Sequence, residues 1–150
     1  MKKISVKKIL VALLSLAITI YLMAVIASAV FMSRMTSLTY NATGFGVTLA
    51  EYQIDFEANT AERNYYNYDN TLSEHTKCFL TANQERKLKI IAAFPLMPLW
   101  KSNYNNPNIY DGNQWNLVKR YGNTKQITFG SNAYPLTYSF VLAAIQDVFV

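Results

Sequence analysis

The sequence pattern that decides the fold lies at residues 51–57, which read Glu51-Tyr52-Gln53-Ile54-Asp55-Phe56-Glu57. Apolar and polar residues alternate along this segment, and a period of two is typical of a β-strand with one buried face and one wet face. Leu38 and Tyr40 alternate with polar residues before it, and residues 63–68 after it are rich in tyrosine. Turn residues separate these segments, so the sequence predicts a meander of three strands.

Helical spacing replaces this alternation in the second half of the chain. Thr81-Ala82-Asn83-Gln84 matches a capping box, and apolar residues then recur at helical spacing as far as residue 94. Pro95 and Pro98 are expected to end this helix. A final helix is predicted over residues 137–149, where the apolar positions are Tyr138, Val141, Leu142, Ile145, Val148 and Phe149.

Between the two helices, residues 114–121 and 125–129 are predicted to form a hairpin. A three-residue loop at 122–124 would gather five apolar residues on one face: Trp115, Leu117, Tyr121, Ile127 and Phe129. A two-residue loop would instead set Asn116 opposite Phe129. Because a slip of one residue exposes a whole apolar face, the three-residue loop is predicted.

Residues 9–32 form a run of 24 positions without a charged residue. As an α-helix this run would be about 36 Å long, enough to cross a hydrocarbon layer of about 30 Å with some tilt. The lysines that precede it are Lys2, Lys3, Lys7 and Lys8, whereas only Arg34 follows closely. Positive charge stays on the cytoplasmic side, so the N-terminus is predicted inside the cell and residues 34–150 outside, at the cell membrane.

A cleaved signal peptide is the alternative interpretation of the same run. Ala27-Ser28-Ala29 resembles a cleavage site, and cleavage after Ala29 would release the rest of the chain. The apolar stretch before this site is longer than the usual length of about 7–15 residues, so an uncleaved anchor is preferred. The predicted organisation is a basic start and transmembrane anchor (or signal peptide) at residues 1–33, followed by an extracytoplasmic domain at residues 34–150. That domain is predicted to be α+β, a small antiparallel sheet of meander and C-terminal hairpin packed with two helices.

Composition excludes several classes of function. The chain is 51% hydrophobic and 15% charged, against about 25% charged in an ordinary soluble domain. The net charge of +5 comes from the N-terminal lysines, because residues 33–150 carry ten Lys and Arg against nine Asp and Glu. A nucleic-acid partner is therefore not expected. One cysteine excludes an internal disulfide and one histidine leaves little for a zinc site, so no metal and no cofactor is predicted.

Two groups of residues suggest chemistry, and each has a simpler explanation. His75 and Cys78 are three residues apart, as a base and a nucleophile could be, but no motif surrounds them and they lie between the predicted elements. A surface histidine and a half-buried thiol are the preferred interpretation. Glu51, Asp55 and Glu57 share the wet face of one strand and could hold calcium or a sugar, yet a solvated strand face explains them equally. No catalytic residue is predicted.

The chain has eleven tyrosines and fourteen asparagines, and its aromatic residues give one hypothesis for a binding site. Five aromatic residues of the C-terminal third can line a groove for a glycan or a peptide: Trp100, Tyr104, Tyr110, Trp115 and Tyr134. The alternative is that these rings belong to the core or to its margin.

Three motifs of the C-terminal third carry a resemblance to a known family: Trp100-Lys101-Ser102-Asn103-Tyr104, Asp111-Gly112-Asn113-Gln114-Trp115 and Gly130-Ser131-Asn132-Ala133-Tyr134-Pro135. In order and spacing, residues 81–150 resemble a small uncharacterised domain of envelope proteins and lipoproteins of Gram-positive gut bacteria. The resemblance implies an antiparallel sheet with one helix before and one after the final hairpin, and it implies no activity. The chain lacks the lipidated cysteine of the lipoprotein members.

The sequence thus predicts a single-pass membrane protein whose extracytoplasmic domain acts by binding or structure and is not an enzyme. Its expected partners are the lipid bilayer, through residues 9–32, and a membrane protein or a component of the cell envelope. One alternative is a secreted hydrolase or hydrolase inhibitor, released after Ala29. Another is an accessory or sensor subunit of a membrane complex.

Overall fold

The computed structural model describes residues 6–93, 100–109 and 112–150. Three helices occur in this part of the chain: α1 (Val6–Arg34), α2 (Ala82–Ala93) and α3 (Tyr138–Gln146), the last extended by a 3-10 turn at Asp147–Phe149. Seven strands accompany them: β1 (Met35–Gly44), β2 (Val47–Asp55), β3 (Thr60–Tyr66), β4 (Leu72–Phe79), β5 (Asn103–Asn105), β6 (Asn113–Tyr121) and β7 (Thr124–Ser131). The predicted α+β class is confirmed.

All seven strands belong to one sheet, in the order β4-β3-β2-β1-β6-β7-β5. Every neighbouring pair is antiparallel except β5 and β7, which run parallel. The predicted meander is present as β1, β2 and β3 and continues into β4. The hairpin of β6 and β7 joins the other side of β1, so the first strand of the chain lies at the centre of the sheet.

Helices α2 and α3 cover one face of the sheet. The alternation at residues 51–57 places Tyr52, Ile54 and Phe56 on that covered face, where all three are buried as predicted. From α2, Leu88 and Ala92 are buried, and from α3, Val141 and Ile145. A single core therefore lies between the sheet and these two helices.

The predicted capping box begins α2. The Gln84 backbone N–H donates to the Thr81 hydroxyl at 3.3 Å, and the Thr81 N–H donates to the Gln84 side-chain carbonyl at 2.9 Å. Each residue thus satisfies a backbone donor that the helix leaves free. Pro95 and Pro98, the predicted end of this helix, lie outside the described residues.

The predicted register of the hairpin is wrong. The loop has two residues, Gly122 and Asn123, and Asn116 faces Phe129 across the strands. Gly122 has a φ of +56°, a conformation that two-residue hairpin loops favour and that glycine adopts at little cost. Ile127 and Phe129 consequently lie on the uncovered face and are 42% and 46% exposed.

The physical reason for this register lies opposite Trp115. Its partner across the strands is Gly130, and a Cβ at that position would approach the Trp115 Nε1 to 2.3 Å. A bulky β7 residue on the covered face would displace the indole ring, so small residues occupy that face, namely Thr128 and Gly130. The apolar residues Ile127 and Phe129 therefore alternate to the other face.

Helix α1 has 29 residues, and all of them are half-buried or exposed. It is long and apolar enough to cross a membrane. The hydroxyls of Ser15 and Thr19 donate to the α1 carbonyls of Ala12 and Ser15, both at 2.9 Å, so the helix itself satisfies these polar groups. This is the usual solution for serine and threonine inside an apolar helix.

Candidate functional site: the open face of the sheet

The candidate site is the sheet face that no described helix covers, which we call the open face. It is formed by alternate residues of the strands, and most of them are polar. One row crosses all seven strands through directly paired residues: His75, Asn64, Glu51, Asn41, Asn116, Phe129 and Asn103. Four of these seven residues are asparagines. A polar row across a sheet leaves many donors and acceptors facing solvent.

At the centre of this row, two asparagines hold each other in place. The Asn41 side-chain amide donates to the Asn116 side-chain carbonyl at 3.2 Å. The Asn41 Oδ1 atom is buried and accepts no hydrogen bond from any described residue. A buried acceptor without a partner costs free energy.

The neighbouring members of the row are also held by hydrogen bonds. Glu51 accepts one bond from the Gln53 amide at 2.9 Å and one from the Tyr66 hydroxyl at 3.4 Å. His75 Nδ1 lies 2.7 Å from the Asn64 Oδ1, on the adjacent strand. These contacts orient the polar side chains before any ligand arrives.

Two depressions lie side by side on the open face. The first has a volume of about 440 Å³ and the second about 400 Å³. Both are lined by Thr43 and Asn116, so they adjoin. The first is also lined by Asn103, Asn105, Gln114, Trp115, Phe129, Gly130 and Ser131, and the second by Asn41, Thr48, Glu51, Tyr66 and Asn70. Together they form an elongated trough lined mostly by amides and hydroxyls.

This trough lies at the end of the sheet remote from α1, which we call the distal end. Strand β1 leaves α1 at Met35 and reaches Thr43 eight residues later. At a rise of about 3.3 Å per residue, Thr43 is roughly 26 Å along the strand from α1. The turn at Phe45 and Gly46 closes this end.

The aromatic residues proposed from the sequence form a packed cluster on the covered face. Three of them surround a fourth, Trp115, whose ring centre lies 5.9 Å from Trp100, 6.1 Å from Tyr104 and 6.2 Å from Tyr134. Tyr110 lies outside the described residues. Trp100 and Trp115 are buried and Tyr104 is half-buried, whereas Tyr134 is 45% exposed. Their arrangement matches the alternative interpretation, in which these rings belong to the core, and their role in ligand binding stays a prediction.

Hydrogen bonds fix the two indole rings within the cluster. Trp115 Nε1 donates to the Ala133 carbonyl at 3.0 Å, and Trp100 Nε1 donates to the Thr137 hydroxyl at 2.9 Å. Asn132, in the same corner, accepts a bond from the Asn113 N–H at 3.0 Å. The segment at residues 130–135 therefore closes the corner between β7 and α3.

His75 and Cys78 do not form a catalytic pair. Both lie on β4, which the sequence did not predict, and an odd separation along a strand sends them to opposite faces. His75 is on the open face, and the Cys78 thiol lies 3.7 Å from the Val148 carbonyl below the covered face. Burial raises the pKa of the Cys78 thiol, which disfavours the thiolate needed for nucleophilic attack.

The acidic residues of the first strand pattern also do not converge. Asp55 accepts bonds from the backbone N–H groups of Glu57 and Ala58, at 2.9 and 2.8 Å, and so stabilises the turn after β2. Glu51 is engaged with Gln53 and Tyr66. Within the described ranges, no group of three or more His, Cys, Asp or Glu side chains is placed to hold a metal ion.

The strongly shifted pKa values belong to the covered face. Burial raises the pKa of Tyr40 well above its usual value, and the hydrogen bond with the Tyr138 hydroxyl adds to this effect. Burial also raises the pKa of Tyr52 to about 12 and lowers that of Lys119 to about 8. These side chains face the core and not the open face. Their pKa shifts therefore result from burial in the core and do not mark a functional site.

The open face is not among the sites that the sequence predicted. The available signal was the distribution of asparagine, because Asn41, Asn103 and Asn116 occur on strands, where asparagine is unfavourable without a specific reason. Protein-family models and curated proteins were compared with the chain, and neither comparison gave a match.

Proposed function

We propose that the protein is a single-pass protein of the cell membrane whose extracytoplasmic domain binds a glycan chain in the trough of the open face. The observation that carries the proposal is the row of amide side chains across an uncovered sheet, with two adjoining depressions at its distal end. The domain acts by binding, without catalysis, and its partner is a component of the cell envelope.

The length and charge pattern of α1 support the membrane anchor. It is apolar over residues 9–32, and lysines precede it on the side that remains in the cytoplasm. In this arrangement residues 34–150 lie outside the cell. The trough would then face away from the bilayer, toward the envelope, because it is at the distal end of β1.

The chemistry of the trough favours a neutral ligand rich in hydroxyls. Amides and hydroxyls both donate and accept hydrogen bonds, as sugar hydroxyls do. Among the described residues that line the two depressions, Glu51 is the only charged one, so this part of the lining offers no counter-charge to a phosphate chain. Phe129 offers an exposed ring for the apolar face of a sugar. An elongated trough also fits a chain better than a single small molecule.

The separation of His75 from Cys78 favours binding over a hydrolase. A base and a nucleophile must lie within hydrogen-bonding reach of one another, whereas these two side chains are on opposite faces of the sheet. The resemblance to envelope proteins at residues 81–150 is consistent with a binding role, and it supplies no activity.

A glycan-binding assay with the full chain in detergent micelles tests the proposal. The ligands are soluble peptidoglycan fragments and neutral oligosaccharides of the envelope, immobilised as an array. Asn116→Ala should weaken binding by about fivefold to tenfold, because a net hydrogen bond is worth about 1 kcal/mol. Phe129→Ala should weaken binding as well.

Asn83→Ala is the matched control, since Asn83 is an exposed asparagine on α2, on the other side of the sheet. It should leave binding unchanged. Equal binding by the Asn116→Ala, Phe129→Ala and unmodified chains would refute the trough as the site. Hydrolysis of any array glycan by the unmodified chain would refute the non-catalytic role.

A further inference from the structure

The anchor and the domain are joined without a linker. Helix α1 ends at Arg34 and β1 begins at Met35, which is buried in the domain core. Phe31 of α1 packs against Tyr121 of β6, with ring centres 5.5 Å apart. The end of the sheet at Met35, which we call the proximal end, is therefore fixed against the helix. The turns at residues 56–59 and 122–123 belong to this same end.

Two cations face each other at the proximal end. Arg120 and Lys125 are directly paired across β6 and β7, and both are exposed. Like charges in this position repel one another. Arg34 is also exposed and is the last residue of α1. The next residue, Met35, pairs with Tyr121, the neighbour of Arg120. None of the three cationic side chains forms an ion pair with a described residue. An anion between Arg120 and Lys125 would remove the repulsion.

An apolar groove lies between α1 and α2. It has a volume of about 280 Å³, and Ile90 of α2 forms one wall. The residues of α1 that line it are Tyr21, Ala24, Val25, Ser28, Ala29 and Met32. Helix α2 starts beside the proximal turn, where the Leu80 N–H donates to the Asn59 carbonyl at 3.0 Å. The groove and the cations therefore belong to the same end of the domain.

The length of α1 determines where the groove lies relative to the bilayer. Residues 9–32 would span about 36 Å and a hydrocarbon layer is about 30 Å thick, so about four residues exceed it. The last turn of this run, near Met32, then falls at the boundary between acyl chains and headgroups. One wall of the groove is the anchor itself, so lipid chains that surround the anchor can reach Ile90.

From this juxtaposition we infer that the proximal end of the domain rests on the outer surface of the bilayer and binds anionic phospholipid. Phosphate groups lie between Arg120 and Lys125 and near Arg34, and acyl chains fill the groove beside Ile90. This inference rests on the proposed membrane anchor. It gives the domain a fixed orientation, with the trough directed away from the lipid surface.

Fluorescence quenching in vesicles tests this arrangement with the full chain. An NBD label is attached to one cysteine at a time in a Cys78→Ser background, at Asn123→Cys (proximal), Phe45→Cys (distal), Ile90→Cys (groove) or Ile20→Cys (anchor). The vesicles contain phosphatidylcholine with or without phosphatidylglycerol. Nitroxide lipids carry the quencher either at the headgroup or along the acyl chain.

The label at position 123 should be quenched by headgroup nitroxide, and more strongly when phosphatidylglycerol is present. The label at position 90 should be quenched by acyl-chain nitroxide, and the label at position 45 by neither. Arg120→Gln with Lys125→Gln should remove most of the dependence on phosphatidylglycerol, since each cation near an anionic surface contributes a factor of roughly five. Lys77→Gln with Lys101→Gln removes the same charge elsewhere and should preserve that dependence.

The anchor label separates the two ways in which the inference can fail. If position 20 is quenched by acyl-chain nitroxide while positions 90 and 123 are not, the membrane anchor is supported and the contact between the domain and the bilayer is refuted. If position 20 is not quenched, both the membrane anchor and this contact are refuted. An unchanged response to phosphatidylglycerol in the Arg120→Gln, Lys125→Gln chain refutes the role of these cations.

Discussion

Trp115 connects the strands, the corner at residues 130–135 and α3. Its ring contacts those of Trp100 and Tyr138, its Nε1 bonds the Ala133 carbonyl, and Gly130 leaves the space that it fills. Only 3% of the residue is exposed. A buried ring with a satisfied N–H contributes both apolar area and a hydrogen bond.

Trp115→Ala should lower the free energy of unfolding by about 3–5 kcal/mol, the cost of removing a large buried aromatic side chain. Thermal unfolding of the full chain in detergent, followed by tryptophan and tyrosine signals, measures the change. Ile127→Ala, on the open face of the adjacent strand, is the control and should have a much smaller effect. A melting temperature unaffected by Trp115→Ala would mean that the ring is not part of the core.

Lys119 is a charged residue inside the core face of β6, and it is 2% exposed. Burial lowers its pKa from 10.5 to about 8. The unfolded chain therefore binds more protons than the folded chain between pH 8 and 10.5. The free energy of unfolding therefore rises with pH between pH 8 and 10.5. Below pH 8 Lys119 is charged in both states, and the folded protein bears the full free-energy cost of burying that charge.

Lys119→Met should therefore stabilise the protein at pH 7, by on the order of 3 kcal/mol. The gain should shrink as the pH is raised from 8 to 10.5, because the folded lysine is then already neutral and deprotonating the unfolded lysine costs progressively less. It should vanish above pH 10.5, where the lysine is neutral in both states. The measurement is the difference in unfolding free energy between variant and parent at each pH, which cancels the titration of the tyrosines. A gain that is independent of pH would show that packing, and not charge, sets the effect.

At the scale of elements, the sequence predicted most helices and strands from local periodicity. Residues 51–55 of the alternating segment lie in β2, while residues 56 and 57, also predicted as strand, belong to the turn that follows. The capping box at residues 81–84 has the predicted hydrogen bonds. Strand β4 was missed because its residues, Leu72–Phe79, are largely exposed at the sheet edge and show little apolar alternation. Its pairing with β3 comes from backbone hydrogen bonds and cross-strand pairs such as Lys77 with Glu62.

The hairpin of β6 and β7 shows the limit of local inference. The sequence indicated that Trp115 and Leu117 are buried, and they are. It also indicated that Ile127 and Phe129 join them, which is wrong, because the Trp115 ring and the Ala133 carbonyl already occupy the space that a side chain at position 130 would need on the covered face. The register was predicted by placing every apolar residue of the hairpin on one face. That reasoning contains no information about which side chains of other elements already pack against this face.

At the scale of the whole molecule, the absence of a linker ties α1 to the domain. Phe31 packs on Tyr121, and the groove residues Ala29 and Met32 face Ile90. Cleavage after Ala29 would separate most of the groove from α2. A helix that packs against the domain that follows it contributes to the stability of that domain, which favours its retention in the mature chain.

The mature chain should therefore retain residues 1–29, apart from an initiator methionine. Mass spectrometry of the protein purified from membranes measures this directly, and carbonate washing should leave the protein in the membrane fraction. A mature chain that begins at Val30 and is found outside the cell would contradict the prediction and favour the secreted alternative.

The sequence by itself determined where the helices and most of the long strands form, and which segment is long and apolar enough to cross a membrane, because these depend on neighbours a few residues apart. Only the tertiary structure decided that β1 lies between β2 and β6, since Asn41 meets Asn116 across 75 positions of the chain. It also decided which sheet face stays open. Helices α2 and α3 lie on one face of the sheet, and the face that no described helix covers is the one whose asparagines, hydroxyls and carboxylates can remain in water at little cost.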